Sequence, residues 1–394
     1  MNELYVLPEG WEWKKLVDKD VCQLIMGQSP KSDTYNSEGK GMPFFQGKTE
    51  FGEMYPTVSK YCTAPKKIAQ VGDILLSVRA PVGPTNIANI ECCIGRGLGA
   101  IRPNEENTLT NYLLYFFRNF ELEISQKGKG STFSAITKKE LENTDIPLPP
   151  LQEQKRIVAK LNSLFAKIDQ AIALHQQNID EAERFMGSVL NEVFGELEGK
   201  YEKRTLFSFH PKISAGGTPL RKESSYWNGD IEWYSSGELN QLYTLPAKEK
   251  ITQVGLENSS AKLFPKGTLL IGMYDTAAMK MSILSNDGSC NQAIVGFKPQ
   301  EDELNIFFAK YQLEYLKEKI LEQRQGVRQK NLNLSKIKNI ELEYPPLETQ
   351  QKTVQYLDQL SQKTERLKEV QTEKMESLKA LKASILDRAF RGEI

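Results

Sequence analysis

Two stretches of this chain concentrate the side chains best suited to hold a polyanion. Residues 127–139 read KGKGSTFSAITKK, with four lysines and no acid. Residues 324–339 read RQGVRQKNLNLSKIKN, with five basic residues and no acid. A phosphate takes a close cation or a backbone N–H, and glycine lets the backbone approach it. Lys127, Lys129, Lys138 and Lys139 are therefore candidate phosphate contacts in the first stretch, and Arg324, Arg328, Lys330 and Lys336 in the second. The hydroxyls and amides among them, Ser131, Thr132, Gln329 and Asn331, suit phosphate oxygens or base edges. A charge run alone usually marks a solvated face. These two runs carry more weight because they fall at equivalent places of an internal repeat.

A second set of candidates lies outside the basic runs. Arg79 and Tyr274 follow apolar, strand-like segments that correspond in the repeat. Gln46, Lys48 and Arg96 are polar side chains in glycine-containing loops of the first half, and Ser235 and Ser236 occupy a similar place in the second. Which of them touch bases, and which are ordinary loop residues, is left open by the sequence.

Motifs for other chemistry are missing. There is no GxxxxGK[ST] phosphate loop, no strand-borne GxGxxG and no Asn-Pro-Pro-aromatic methyltransferase motif. Glu12-Trp13-Lys14 fits part of a nuclease site, but too little chain precedes it to supply the partner aspartate. The only histidines are His175 and His210, and the five cysteines have no metal-type spacing, so we expect no metal and read the thiols as buried or idle. The formal net charge is zero, which argues against a simple basic DNA-coating protein but not against one with localised cations. No apolar run approaches a membrane span, and the first residues lack a signal-peptide layout, so the expected location is the cytoplasm.

The elements that must position these residues are written twice. Pro149-Pro150-Leu151 recurs as Pro345-Pro346-Leu347, an offset of 196 residues. Ser188-Val189-Leu190 and Phe194 recur as Ser384-Ile385-Leu386 and Phe390 at the same offset. Upstream, Ser29-Pro30 answers Thr218-Pro219, Phe44-Phe45 answers Trp233-Tyr234, and Gly72-Asp73-Ile74-Leu75 answers Gly267-Thr268-Leu269-Leu270. Short β-type runs bounded by Gly and Pro, followed by one helical run, predict an irregular, largely β domain in each half. The expected organisation is a globular part over 1–150, a helix over 151–197, a second globular part over 198–344 and a second helix over 345–394.

Both helices carry apolar residues at alternating three- and four-residue spacing. In the first, Leu161, Phe165, Ile168, Ile172 and Ile179 are predicted to pair, with Gly195 and Gly199 ending the helix. In the second the candidates are Leu357, Leu360, Leu367, Leu378 and Leu381. His175 interrupts the first seam, and its repeat mate is Gln371; we read it as a polar seam residue that fixes register. The second globular part joins the end of one helix to the start of the other. Antiparallel pairing brings those points together, whereas parallel pairing makes the domain bridge about 65 Å. The fold class expected is α+β, with two mixed, largely β domains joined by antiparallel coiled-coil helices in pseudo-twofold symmetry.

In this order, and repeated, the pieces resemble the specificity subunits of type I restriction–modification enzymes. The resemblance covers essentially the whole chain. It rests on Pro8-Glu9-Gly10-Trp11, on Gly72-Asp73-Ile74-Leu75 running to Arg79-Ala80-Pro81-Val82-Gly83, on Pro147 to Gln154, and on Ser384 to Glu393. It implies two target recognition domains that read the halves of an interrupted double-stranded DNA site, and spacer helices that set the gap and dock two modification methyltransferase subunits. It also implies restriction/translocase subunits as partners. No cofactor is expected in this chain; S-adenosylmethionine, ATP and Mg²⁺ belong to those partners, and the chain itself is expected not to catalyse. The halves differ, with Met273-Tyr274-Asp275 standing where the first has Val78-Arg79-Ala80, so the implied site is asymmetric. Two other readings stay open: the recognition subunit of a related methyltransferase–nuclease system not driven by ATP, and a coiled-coil scaffold without DNA specificity.

Overall fold

The structure, a computed structural model, describes residues 5–127, 135–322 and 331–394. The chain divides into two compact units, residues 1–176 with 372–394, and residues 177–371.

In the first unit the central strand is Ile74–Ser77, every residue of which is buried. It lies in an antiparallel sheet ordered Cys22–Met26, Leu98–Pro103, Ile74–Ser77, Thr85–Ile87. Successive strand side chains point to opposite faces. Ile74 and Leu76 accordingly enter a core with the helix Thr110–Lys127 and the long helix Leu151–Leu197, while Leu75 enters a separate core with Phe45, Ile94 and Leu98. A strand covered on both sides reads as an unbroken apolar run rather than an alternating one. The second core belongs to a five-stranded sheet in which Met42–Phe45 and Cys92–Ile94 run parallel.

The second unit repeats this plan. Its antiparallel sheet is ordered Ser214–Ala215, Ile294–Phe297, Leu269–Gly272, Met281–Ile283. Leu269 and Ile271 face the helical core and Leu270 the other. The strand Trp227–Tyr234 pairs in parallel with Gly288–Cys290, as its counterparts do in the first unit. The peripheral helix is continuous in the first unit but divided into Ile306–Tyr315 and Lys317–Glu322 in the second.

One buried glutamine ties each globular part to its long helix. Gln154, fully buried, accepts from the backbone N–H of Leu109 at 2.9 Å and donates to the carbonyls of Asn107 and Pro149 at 2.8 and 2.9 Å. Gln350, also fully buried, accepts from Asn305 N–H at 2.8 Å and donates to Glu303 and Pro345 at 3.3 and 2.9 Å. An amide suits this place because it offers an acceptor and two donors to one N–H and two carbonyls. A turn or two later a second tie recurs: the Tyr115 hydroxyl donates to Asn162, and the Tyr311 hydroxyl to Asp358.

Within each unit the long helices Leu151–Leu197 and Leu347–Phe390 run antiparallel. In the first unit Leu161, Phe165, Ile168 and Ile172 share a core with Leu378, Ile385, Leu386 and Phe390. In the second, Val189, Leu190 and Phe194 share one with Val354, Leu357 and Leu360. Ile179 is half-buried. Leu367 and Leu381, expected in the seam, are 43% and 48% exposed. The reason is register. Leu357, Thr364, Gln371, Leu378 and Ile385 follow one another at seven-residue steps, and the polar members Thr364 and Gln371 are buried. Leu360, Leu367 and Leu381 lie on the neighbouring stripe, which turns to solvent away from the helix ends. Asn178 donates to the Gln371 side chain at 3.4 Å, so that polar seam position is hydrogen-bonded. Lys382–Asp169 at 2.7 Å and Lys368–Glu183 at 3.2 Å flank the seams. The first long helix runs through Gly195 to Leu197 and stops at Gly199, whose φ of +73° is the left-handed conformation that ends helices.

Replacing Gln154 by alanine removes three hydrogen bonds, each contributing about 0.5–1.5 kcal/mol, and leaves the buried Pro149 carbonyl without that partner. We expect the unfolding midpoint to fall by roughly 5–10 °C, read by calorimetry; no change would show that the tie is dispensable. Leu357→Ala is expected to cost about 2–5 kcal/mol in urea unfolding, and Leu367→Ala to stay within about 0.5 kcal/mol.

Candidate nucleic-acid interface

Five chain segments of the first unit meet at one backbone junction, held by hydrogen bonds that recur in the second unit. Gln28 N–H donates to Ile94, Gly27 to Leu98, Gly95 to Phe45, Val78 to Gly97 and Ile136 to Val78, all between 2.8 and 3.0 Å. In the second unit Gly217 donates to Cys290, Gly216 to Ile294, Asn291 to Tyr234, Met273 to Ala293 and Leu332 to Met273, all between 2.9 and 3.0 Å. Sequence order and partner match one for one. Arg79 and Ala135 also bridge, which brings the end of the central strand beside Ala135, a residue of the first basic stretch. Tyr274 and Asn331 occupy the corresponding places.

The junction is tight where glycine stands. A Cβ on Gly27 would lie 2.1 Å from the Gly95 carbonyl oxygen, and one on Gly216 would lie 2.1 Å from that of Cys290. No side chain fits there, so the backbone approach itself requires glycine.

Around the shared frame the side chains differ. In the first unit the Gln46 amide and the Ser29 hydroxyl are bonded at 2.9 Å, and the Ser29 oxygen also accepts from the Arg96 N–H at 3.1 Å. Arg79, Lys48 and Arg96 are exposed. Lys48 lies close enough to oppose the rise that burial imposes on the Glu121 carboxyl pKa. In the second unit Thr218 stands for Ser29 and donates to the Gln292 side chain at 2.5 Å. Ser235 stands for Gln46, but it caps the short turn Ser236–Glu238, its N–H and hydroxyl bonding the Glu238 carboxylate at 2.9 and 2.7 Å. Burial pushes the Glu238 pKa up, yet these bonds and the Lys248 N–H hold it below its usual range. Tyr274 is half-buried against the helical core.

The structure thus brings Gln46, Arg79 and Arg96 together, and places Tyr274, Ser236 and Asn331 about the matching junction. Lys129, Ser131, Thr132, Arg324, Arg328, Gln329 and Lys330 lie outside the described residues, as does the side chain of Lys127, the last residue of its helix. Lys138, Lys139 and Lys336 are not at the junctions. Thr137 caps the helix Lys138–Glu142, and Asn333 caps Leu334–Lys338. These helices carry the chain away from the junction toward the strands Asp145–Leu148 and Glu341–Glu343. Lys138 there lines a cleft with Leu16, Cys22 and Arg102, at the far end of the strand Cys22–Met26 from Gly27. Lys336 lines one with Phe194, Glu198 and Glu343. Ser29, Thr218 and Gln292 also stand at the junctions, and sequence reasoning did not single them out as site candidates. Ser29-Pro30 and Thr218-Pro219 were visible as repeat anchors, but nothing local showed that the segment after Cys92–Ile94 returns to them.

The remaining chemistry-bearing groups are internal. All five cysteines are free and buried, and burial pushes the thiols of Cys22, Cys92 and Cys290 up to about 12. Glu12 and Lys14 form an ion pair at 3.1 Å on a ribbon strand. Among the described residues no cluster of three or more His, Cys, Asp or Glu could hold a metal ion, and no helix is long and apolar enough to cross a membrane.

Comparison with known proteins finds the type I restriction modification DNA specificity domain twice, over residues 8–184 and 199–376. The MjaX type I restriction enzyme specificity subunit of Methanocaldococcus jannaschii is 42% identical over 204 residues, covering 52% of this chain and 46% of its own length. The chain therefore matches only about half of that relative. The StySPI specificity subunit of Salmonella potsdam is 23% identical over 98% of this chain and 90% of its own. In fold, a chain from a structure of type I R-M system assembly and conformational transition aligns over 99% of this chain and 100% of its own, with a TM-score of 0.77 and 24% identity. The HsdS subunit from Thermoanaerobacter tengcongensis aligns over 100% and 99%, with a TM-score of 0.52 and 24% identity.

Gly27→Ala is expected to destabilise the first unit by about 1–3 kcal/mol through overpacking, whereas exposed Gln28→Ala should change stability by no more than about 0.5 kcal/mol. Paired thermal melts test this; equal midpoints would show that the junction is loose.

Proposed function

The chain belongs to the type I restriction modification DNA specificity family, and from that membership and the doubled junction we propose how it works. Each unit carries a recognition surface at its junction and reads one half of a bipartite, asymmetric double-stranded DNA site. The functional modules are residues 1–150, the helix 151–197, residues 198–344 and the helix 345–394. The helices fix the gap between half-sites and dock two modification methyltransferase subunits, to which restriction/translocase subunits add. The chain works in the cytoplasm as a non-catalytic subunit, and S-adenosylmethionine, ATP and Mg²⁺ act in its partners.

One observation carries this reading: the same hydrogen-bonded junction is built twice, each receiving through Ile136 or Leu332 a segment that belongs to a basic stretch of the sequence, with different side chains mounted on it. Phosphate contacts from the basic stretches hold register without reading sequence, and side chains at the junction read base edges. Different side chains on one frame give two different half-sites. A scaffold without DNA specificity has no use for such a frame, which sets that reading below this one.

Methylome sequencing of the host with and without the gene tests the proposal. We expect a two-part motif that vanishes on deletion. Replacing residues 1–150 by the matching part of another family member should alter one half of the motif and leave the other intact; alteration of both halves would overturn the modular reading.

A further inference from the structure

We infer that Arg96 and Gln292 are specificity-determining residues, Arg96 reading a guanine in one half-site and Gln292 an adenine in the other. The inference rests on the DNA-reading role proposed above and assigns the base each unit demands at one position.

The two residues occupy the same node. Each is the second residue after the strand that pairs in parallel with the preceding sheet strand, Cys92–Ile94 for Arg96 and Gly288–Cys290 for Gln292. Each is pinned on both sides by backbone hydrogen bonds. Gly95 donates to Phe45 and Gly97 accepts from Val78; Asn291 donates to Tyr234 and Ala293 accepts from Met273. The residue between is held in place while its own side chain is exposed in both units. The central-strand exit at that node also receives the segment that leaves the basic stretch, through Ile136 in one unit and Leu332 in the other. A fixed backbone that carries an exposed side chain is the arrangement a base-edge reader needs.

The side chains then select the base. A guanidinium presents a fork of donors that matches the O6 and N7 acceptors of guanine, and among the described residues no carboxylate bonds Arg96. A carboxamide presents one acceptor and one donor, matching N6–H and N7 of adenine. Thr218 donates to the Gln292 Oε1, which holds the amide in place and leaves a lone pair on that oxygen and both N–H donors available. Ser29 plays the corresponding part for Arg96 by accepting its backbone N–H. Other residues at the junctions fit the task less well. Tyr274 is half-buried in the core, and Ser235 is spent on Glu238.

The test is binding selection with the full chain assembled with its methyltransferase subunits, on duplexes randomised in one half-site at a time. For the parent complex we expect a guanine in the first half and an adenine in the second. Arg96→Lys keeps the charge but loses the fork, and should lose about tenfold or more of guanine preference at one position only. Arg96→Gln should move that preference toward adenine, and Gln292→Arg should move the other half toward guanine. Unchanged selectivity at the other positions of the altered half-site reports that the mutated unit is folded. An unaltered motif in both Arg96 variants overturns the inference, and so does a uniform loss of binding across all sequences, which marks a phosphate contact. A parent complex that selects no two-part sequence sinks the proposed function instead.

Discussion

Everything outward of the long helices depends on two buried side-chain amides. Gln154 and Gln350 each satisfy one N–H and two carbonyls where a globular part meets the first turn of its helix. The amides themselves are fully buried, so their polar atoms must find partners within the protein, and these backbone groups are the partners. A helix can carry a reading surface at a defined angle only if the joint between them is stiff. Here the joint is three hydrogen bonds around a fully buried amide, backed by a tyrosine hydroxyl about two turns along.

On this base the molecule separates two tasks that often share residues. Backbone hydrogen bonds and absent side chains make the junction, as at Gly27 and Gly216. Exposed side chains projecting from it differ between the units. The double-faced central strands complete the separation, because Ile74, Leu76, Leu269 and Ile271 face the helical cores while Leu75 and Leu270 hold the second sheets. The frame is therefore anchored from both sides, and the residues that vary lie on its rim.

The sequence made the doubled plan, the largely β domains and the antiparallel helices legible because those rest on periodicity and local turn chemistry. Prolines before Leu151 and Leu347, and alternating apolar spacing after them, need no knowledge of distant contacts. The seam was only partly legible. Leucine is a strong signal, so Leu367 and Leu381 outweighed Thr364 and Gln371, although strict seven-residue steps from Leu357 select the polar pair. The site was less legible still. Arg79 and Gln46 stood out as polar residues beside strands, but Ser29 and Gln292 acquire meaning only when segments tens of residues apart are hydrogen-bonded. Lys138 and Lys336 looked like parts of the basic stretches, and the capped helices that turn them away begin only at Thr137 and Asn333.

The glycine contacts at the junction carry an implication for how such a chain changes over generations. A position that tolerates no Cβ is fixed by sterics, while the side chain at the nearby node faces solvent and lies outside the cores. If the node reads a base, substitution there alters what is read while the glycine contacts stay as they are. New target preferences are thus reachable in single steps, each copy drifting independently of the other, and the scaffold need not be reinvented when the vocabulary is.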